Sequence, residues 1–231
     1  LNLFTSISVI KAEAYSNIVF KNITIEDGLA QATVECMIQD SRGYMWFGTN
    51  DGLSRYNGHE FEVYRNEIGV DNSIVNNYIV CMNEDRDGNL WIGTIDGASK
   101  INLSTNEITN YKNSSGLSNN NVTEILVTKD GEILLATVDG LNIYDKTNDR
   151  FTRIFNNEYL EDQEIYSLDE DINGDIWLGG SKNITKINLK NNTCEDFSDI
   201  NKKYEKINDC AYKVLCDDKY IWVGKIGRAH V

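Results

Sequence analysis

"GYMWFGTNDGLSRY", residues 43–56, returns forty-five positions later as "GNLWIGTIDGASKI", residues 88–101. The four tryptophans of the chain, Trp46, Trp91, Trp177 and Trp222, are spaced by 45, 86 and 45 residues. The long gap is divided at its middle by Leu134, in "GEILLATVDGLNIY". Five copies at intervals of 43 to 45 residues therefore run through the chain. A fixed period of that size signals a toroidal or solenoid repeat before it signals a duplicated active loop.

Each copy has one internal order. A first segment with patchy alternation ("TVECMIQD", "YIVCMNED", "VTEILVTKD", "IYSLDED", "YKVLCDD") lacks the 3.6-residue spacing of a helix. A glycine turn ("SRG", "RDG", "KDG", "ING") leads into the tryptophan segment. A second turn ("NDG", "IDG", "VDG", "SKN") then leads into a third segment and a fourth. Four short strands joined by tight turns make one antiparallel meander sheet, and such sheets repeated radially are the blades of a β-propeller. The expected fold class is all-β. The bulky residue of each second strand (Trp46, Trp91, Leu134, Trp177, Trp222) is expected to fill the wedge between adjacent sheets. The small residue two places on (Gly48, Gly93, Gly179, Gly224, with Ala136 in the third copy) is expected to let the sheets approach. On this reading the motif is structural.

"DRDGNLWIGTIDGASKI" and "DSRGYMWFGTNDGLSRY", with lead-ins such as "EDGLAQATVECMIQD", resemble the two-component regulator propeller repeat. The resemblance covers residues 18–224. It departs at Leu134 and Ala136 in the third copy, at Gly180 in the fourth and at Lys225 in the fifth. It implies a ring of about seven blades, of which about four and a half lie in this chain. It also implies the extracytoplasmic sensing portion of a bacterial membrane-bound signalling protein, a hybrid histidine kinase or a diguanylate cyclase, homodimeric in its full-length form. The blades are expected at 30–66, 75–113, 119–157 and 162–199, with a partial fifth at 210–225. Residues 18–29 align with fourth strands and are expected to form an orphan outer strand that closes the ring. Residues 1–14 read as the back half of a signal peptide, cut after Ala14. "IGRAHV", residues 226–231, reads as translated sequencing adapter, so the chain is expected to be a fragment at both ends.

Composition narrows the chemistry. A net charge of −14, from 36 acidic and 22 basic side chains, repels phosphate backbones and argues against nucleic acid as a partner. The five cysteines (36, 81, 194, 210, 216) contain no CxxC and only two histidines accompany them, so neither a zinc site nor a disulfide framework is indicated. "NEDRDGNLWIGT" and "DEDINGDIWLGG" imitate a calcium loop. They carry Thr94 and Gly180 where a bidentate Glu is needed, and they lead into strands. Hairpin turns are the better reading. No nucleophile elbow, phosphate loop or HExxH occurs, so no catalytic residue, metal or cofactor is expected.

Loops joining second to third strands open on the same propeller face as those joining one blade to the next. That face is expected to carry Asn50, Asp51, Asp96, Asp139 and Lys182, with Gln31, Asn76, Asn119 and Glu161 from the blade connections. Their polar groups suit a small-molecule or oligosaccharide ligand, although the Asp-Gly pairs equally serve to shape turns. The function expected is ligand sensing without catalysis. The alternatives are a secreted propeller enzyme acting on polysaccharide and a protein-interaction scaffold.

Overall fold

The structure, a computed structural model, describes residues 20–155, 160, 163–182, 184–197 and 210–225. The signal segment, the adapter-like hexapeptide and Glu161 lie outside the described residues.

Four four-stranded antiparallel sheets follow one another, each in simple sequential order. Blade 1 comprises β1 (Val34–Gln39), β2 (Met45–Thr49), β3 (Gly52–Tyr56) and β4 (Phe61–Tyr64). Blade 2 comprises β5 (Ile79–Glu84), β6 (Asn89–Thr94), β7 (Gly97–Asn102) and β8 (Ile108–Tyr111). Blade 3 is built from β9 (Val122–Val127), β10 (Ile133–Thr137), β11 (Gly140–Asp145) and β12 (Arg150–Ile154). Blade 4 is built from β13 (Ile165–Glu170), β14 (Ile176–Gly180), β15 (Ile184–Asn188) and β16 (Thr193–Asp196). A two-stranded sheet, β17 (Ala211–Cys216) and β18 (Ile221–Lys225), begins a fifth. The first strands of successive blades lie against one another, so they form the inner wall. The fold is an all-β propeller.

The wedges between blades hold the core. Trp46 is fully buried with Ile74, Ile79, Leu90 and Ile92 between blades 1 and 2. Trp91 is fully buried with Tyr111, Val122, Ile133 and Phe151 between blades 2 and 3. Leu134 takes the same place with Ile165, Ile176 and Leu178 between blades 3 and 4. Gly48 and Gly93 stand at close approaches, whereas a Cβ on Gly224 would meet nothing nearer than Lys213 of its own sheet at 3.5 Å. A Cβ on Gly93 would stand 2.4 Å from Cys81 Sγ and 2.7 Å from Val122 Cγ1 of the next blade. A Cβ on Gly48 would stand 2.6 Å from both Cys36 Sγ and Ile79 Cγ2. Met37 is 69% exposed, whereas Ile125, at the same position in blade 3, is buried. Among the described residues no sheet covers that face of blade 1.

One expectation needs correction. Residues 20–24 form no strand, and Ile25–Asp27 is a single 3-10 turn. Thr24 caps that turn by accepting from Glu26 N, while Asp27 accepts from Thr24 N at 2.8 Å. Residues 24–29 match the blade connection at 112–117, where Asn113–Ser115 forms the same turn before a left-handed glycine. The part that matches a fourth strand, 20–23, has no strand beside it to complete a ladder. A strand's backbone groups need that partner.

Every first strand carries a β-bulge at one height. Cys36 pairs with Gly48 and Val34 with Thr49, so Glu35 has no partner. Val80, Thr123, Tyr166 and Tyr212 are skipped in the same way in the other four sheets.

Candidate ligand-binding face

The turns after the second strands are built alike. Thr49, Thr94 and Thr137 each donate to the carbonyl of the glycine three residues on, at 2.7, 2.7 and 3.0 Å. Each hydroxyl also accepts the backbone N–H of Asp51, Asp96 or Asp139, at 3.1 to 3.2 Å. These threonines are fully buried. The aspartates' carboxylates meet cations: Asp51 with Arg65 at 3.4 Å, Asp96 with Lys112 at 2.6 Å and Asp139 with Arg153 at 3.1 Å. Arg65 and Lys112 follow equivalent fourth-strand tyrosines, while Arg153 reaches its acid from within β12. A second layer of asparagines locks turn to connection. Asn77 Nδ2 donates to Asp51 at 3.3 Å and Asn120 Nδ2 to Asp96 at 3.1 Å. Asn120 Oδ1 also accepts the backbone N–H of Asn113 at 2.8 Å. Tertiary geometry supplies these cations and asparagines, which the repeat pattern alone did not single out.

The connection residues turn the chain. Asn76 Oδ1 accepts from Tyr78 N at 2.8 Å and Asn119 Oδ1 from Asn121 N at 2.9 Å, and Gln31 Oε1 accepts from Thr33 N. Asn50 differs: its Oδ1 is buried and has no hydrogen-bond partner among the described residues. Lys182 is exposed. The calcium-like turns are occupied by their own chain. Asp85 Oδ1 accepts from Asp87 N and Asn89 N at 2.9 Å each, and Asp171 Oδ1 accepts from Asn173 N at 2.8 Å. Among the described residues no three His, Cys, Asp or Glu side chains group as metal ligands.

The bulges place a different set of side chains on this face. Glu35, Val80, Thr123, Tyr166 and Tyr212 stand at the entrance of the inner wall, beside the blade connections. Tyr166 and Tyr212 stack with ring centroids 5.2 Å apart at 10°. Tyr166 donates to Glu164 at 2.7 Å, and that hydrogen bond, with burial, pushes its phenol up to about 12. One residue deeper, the position opposite the small residue holds Cys36, Cys81, Glu124, Ser167 and Lys213. Lys213 reaches Glu124 at 2.7 Å, passing over blade 4 to link blades 5 and 3. The entrance thus offers an exposed aromatic face, hydroxyls and carboxylates, a set suited to holding a polar ligand.

Comparison with known proteins places the repeat. The two-component regulator propeller family matches residues 28–51 and 73–96, the approach and first two strands of blades 1 and 2. Those two segments match the model of the two-component regulator propeller repeat. A 72-residue segment is 42% identical to Histidine kinase P4 of Formosa agariphila, covering 31% of this chain and 5% of that protein. The extracellular domain assigned to a hybrid two component system of B. thetaiotaomicron superposes with a TM-score of 0.74 at 23% identity, covering 88% of this chain and 29% of that one. Virginiamycin B lyase of Staphylococcus aureus superposes with a TM-score of 0.62 at 13% identity, covering 85% of this chain and 64% of that one. At those identities the structural likenesses speak to fold, and the chain spans a small part of the kinase it matches. The matched segment of blade 2, 73–96, contains the Asp85 turn and the Thr94–Asp96 contact described above.

Proposed function

We propose that this chain is the ligand-sensing propeller of an exported, membrane-anchored signalling protein, and that it binds without catalysing a reaction. The observation that carries the proposal is the pair of two-component regulator propeller repeats, reinforced by the segment shared with a histidine kinase. The geometry supports binding over acid–base chemistry. The three turn aspartates are each engaged by a cation, and the neutralised pairs make fixed hydrogen-bonding edges rather than a proton donor and acceptor. The ligand is a small polar molecule or an oligosaccharide at the entrance of the inner wall, its ring face on Tyr212 and its hydroxyls toward Glu35 and Thr123. A homodimeric parent would carry the bound state to a kinase or cyclase across the membrane.

The test is a panel of soluble oligosaccharides screened by thermal shift and calorimetry on this chain. Tyr212→Ala and Glu35→Gln are expected to weaken the binding ligand by about tenfold or more. Saturable binding that both variants leave unchanged overturns the site. A parent protein that remains in the cytoplasm, shown by protease protection in intact cells, overturns the sensor reading.

A further inference from the structure

The wedge between blades 3 and 4 lacks what the other blades put there. In blades 1, 2 and 4, four positions make one stack. Asp40, Trp46, Arg55 and Tyr64 form it in blade 1, with the guanidinium 5.6 Å from the indole and Trp46 and Tyr64 5.5 Å apart. Asp85, Trp91, Lys100 and Tyr111 repeat it, with ammonium to indole 5.5 Å and ring to ring 5.5 Å. Asp171, Trp177, Lys186 and Phe197 do so again at 5.9 and 4.7 Å. In each, the indole N–H donates to the aspartate, at 2.9, 2.8 and 3.0 Å.

Blade 3 changes all four residues together. The strand registers put Ile143 opposite Leu134 and Ile154 opposite Leu141, so the stack there reads Thr128, Leu134, Ile143, Ile154. At those four positions ring, cation and carboxylate are all absent, and the ring near them is that of Phe155, the next residue in the chain. A cleft of about 370 Å³ lies at this place, with Thr128, Ile143, Ile154 and Phe155 on one wall and Ile176 and Leu189 of blade 4 on the other. Its rim carries Asp130, Glu132 and Glu170 against Lys190, whose ammonium is paired with Asp130 at 2.8 Å. The cleft lies beside the turns at 128–132 and 189–192, apart from the Tyr212 entrance.

We propose that this cleft binds a small cationic aromatic, an arylalkylamine, in place of the side chains that blade 3 lacks. Three sister wedges of the same chain show what such a space accepts: a flat ring packed on aliphatic walls, with a positive charge beside it. Pockets near this volume suit small molecules, and apolar walls with a few polar groups at the edge are their usual lining. The carboxylates of the rim, in a chain of net charge −14, favour the ammonium over an anion. The Thr128 hydroxyl occupies the place of the aspartate and retains capacity to accept an N–H after its bond from Glu132 N at 3.0 Å.

The experiment titrates the full chain with tryptamine, indole-3-acetate (the same ring with opposite charge) and hexylamine (the amine without a ring), read by ligand-observed NMR and calorimetry. Tryptamine is expected to saturate with a dissociation constant on the order of 0.1–1 mM, and the other two to bind at least about tenfold more weakly. Ile143→Lys, which installs the residue type of Lys100 and Lys186, is expected to weaken tryptamine at least about tenfold. Glu132→Gln, on the exposed rim, is expected to weaken it about threefold without touching the core. Tyr212→Ala is expected to leave tryptamine binding unchanged, which separates this cleft from the entrance. Absence of saturation, equal binding of indole-3-acetate, or undiminished affinity in both cleft variants overturns the proposal.

Discussion

The indole Nε1 of the fully buried Trp91 donates to Asp85 Oδ2, six residues earlier, at 2.8 Å. The same carboxylate also accepts Asp87 N, Asn89 N and the Asn89 amide, so one side chain closes the hairpin and satisfies the indole of the wedge. Turn and core are therefore one unit.

Asp85→Ala is expected to destabilise the chain by about 1–3 kcal/mol, the cost of a buried donor left without its acceptor. Trp222 makes the equivalent bond to Asp217 but is 57% exposed, and water can replace that partner. Asp217→Ala should therefore cost less than about 1 kcal/mol. Urea denaturation of the two variants measures the difference, and equal costs would refute the argument.

Acid should act through the same carboxylates. Burial pushes the Asp40 and Asp171 carboxyls up, but hydrogen bonds from Trp46 or Trp177 and from backbone N–H groups outweigh it, so both end below the ordinary value. Folded values below the unfolded ~3.9 mean that this stability is complete above that pH and is lost as pH falls through the folded values. The urea midpoint is expected to hold steady from about pH 7 to 5 and to decline below about pH 4, less steeply in Asp40→Asn. A decline already evident near pH 6 would point to other groups.

Gly93→Ala is expected to destabilise by about 1–3 kcal/mol, because the new methyl meets Cys81 and Val122 well inside contact distance and forces blades 2 and 3 apart. Shortening the neighbour in Gly93→Ala/Val122→Ala should recover part of that loss. Strict additivity of the two single changes in thermal melts would show that the sheets do not meet there.

The thiols of the inner wall should be slow to alkylate. Burial pushes Cys36 and Cys216 up to about 12 and raises Cys81 well above its ordinary value, which removes the reactive thiolate. With iodoacetamide at pH 8, followed by mass spectrometry, these three cysteines should label at least about tenfold more slowly in the folded chain than in urea. Equal rates would contradict the packing.

The tryptophan period made the propeller legible, because one large residue per blade must recur wherever a wedge recurs. Asp40 and Trp46 were visible at a six-residue spacing that recurs in blades 2 and 4 and shortens to five at Asp217 and Trp222. Their cation and aromatic partners were not, since Arg55 and Lys100, or Tyr64 and Phe197, share chemistry without sharing identity. The ion pairs of Asp51, Asp96 and Asp139 with basic residues 14 to 16 positions later depend on how the fourth strand returns, which local patterns do not encode. The bulges were hidden for a different reason: each copy carries the extra residue, so the copies align without a gap. Aligning 18–29 with fourth strands did not reveal the 3-10 turn at Ile25–Asp27, because alignment carries over a segment's composition but not its local hydrogen bonds.

The bulge residues Glu35, Val80, Thr123, Tyr166 and Tyr212 share one property that sets them apart within the five described first strands. Each stands outside its ladder, opposite nothing, so its identity is free of cross-strand matching. An acid, an aliphatic, a hydroxyl and two phenols occupy the same height without altering a single pairing around them. The entrance therefore behaves as a row of interchangeable letters set in fixed type. For the sensing role proposed above, recognition can drift from one ligand to another, residue by residue, while the Trp–Asp grammar of the blades stays as it is.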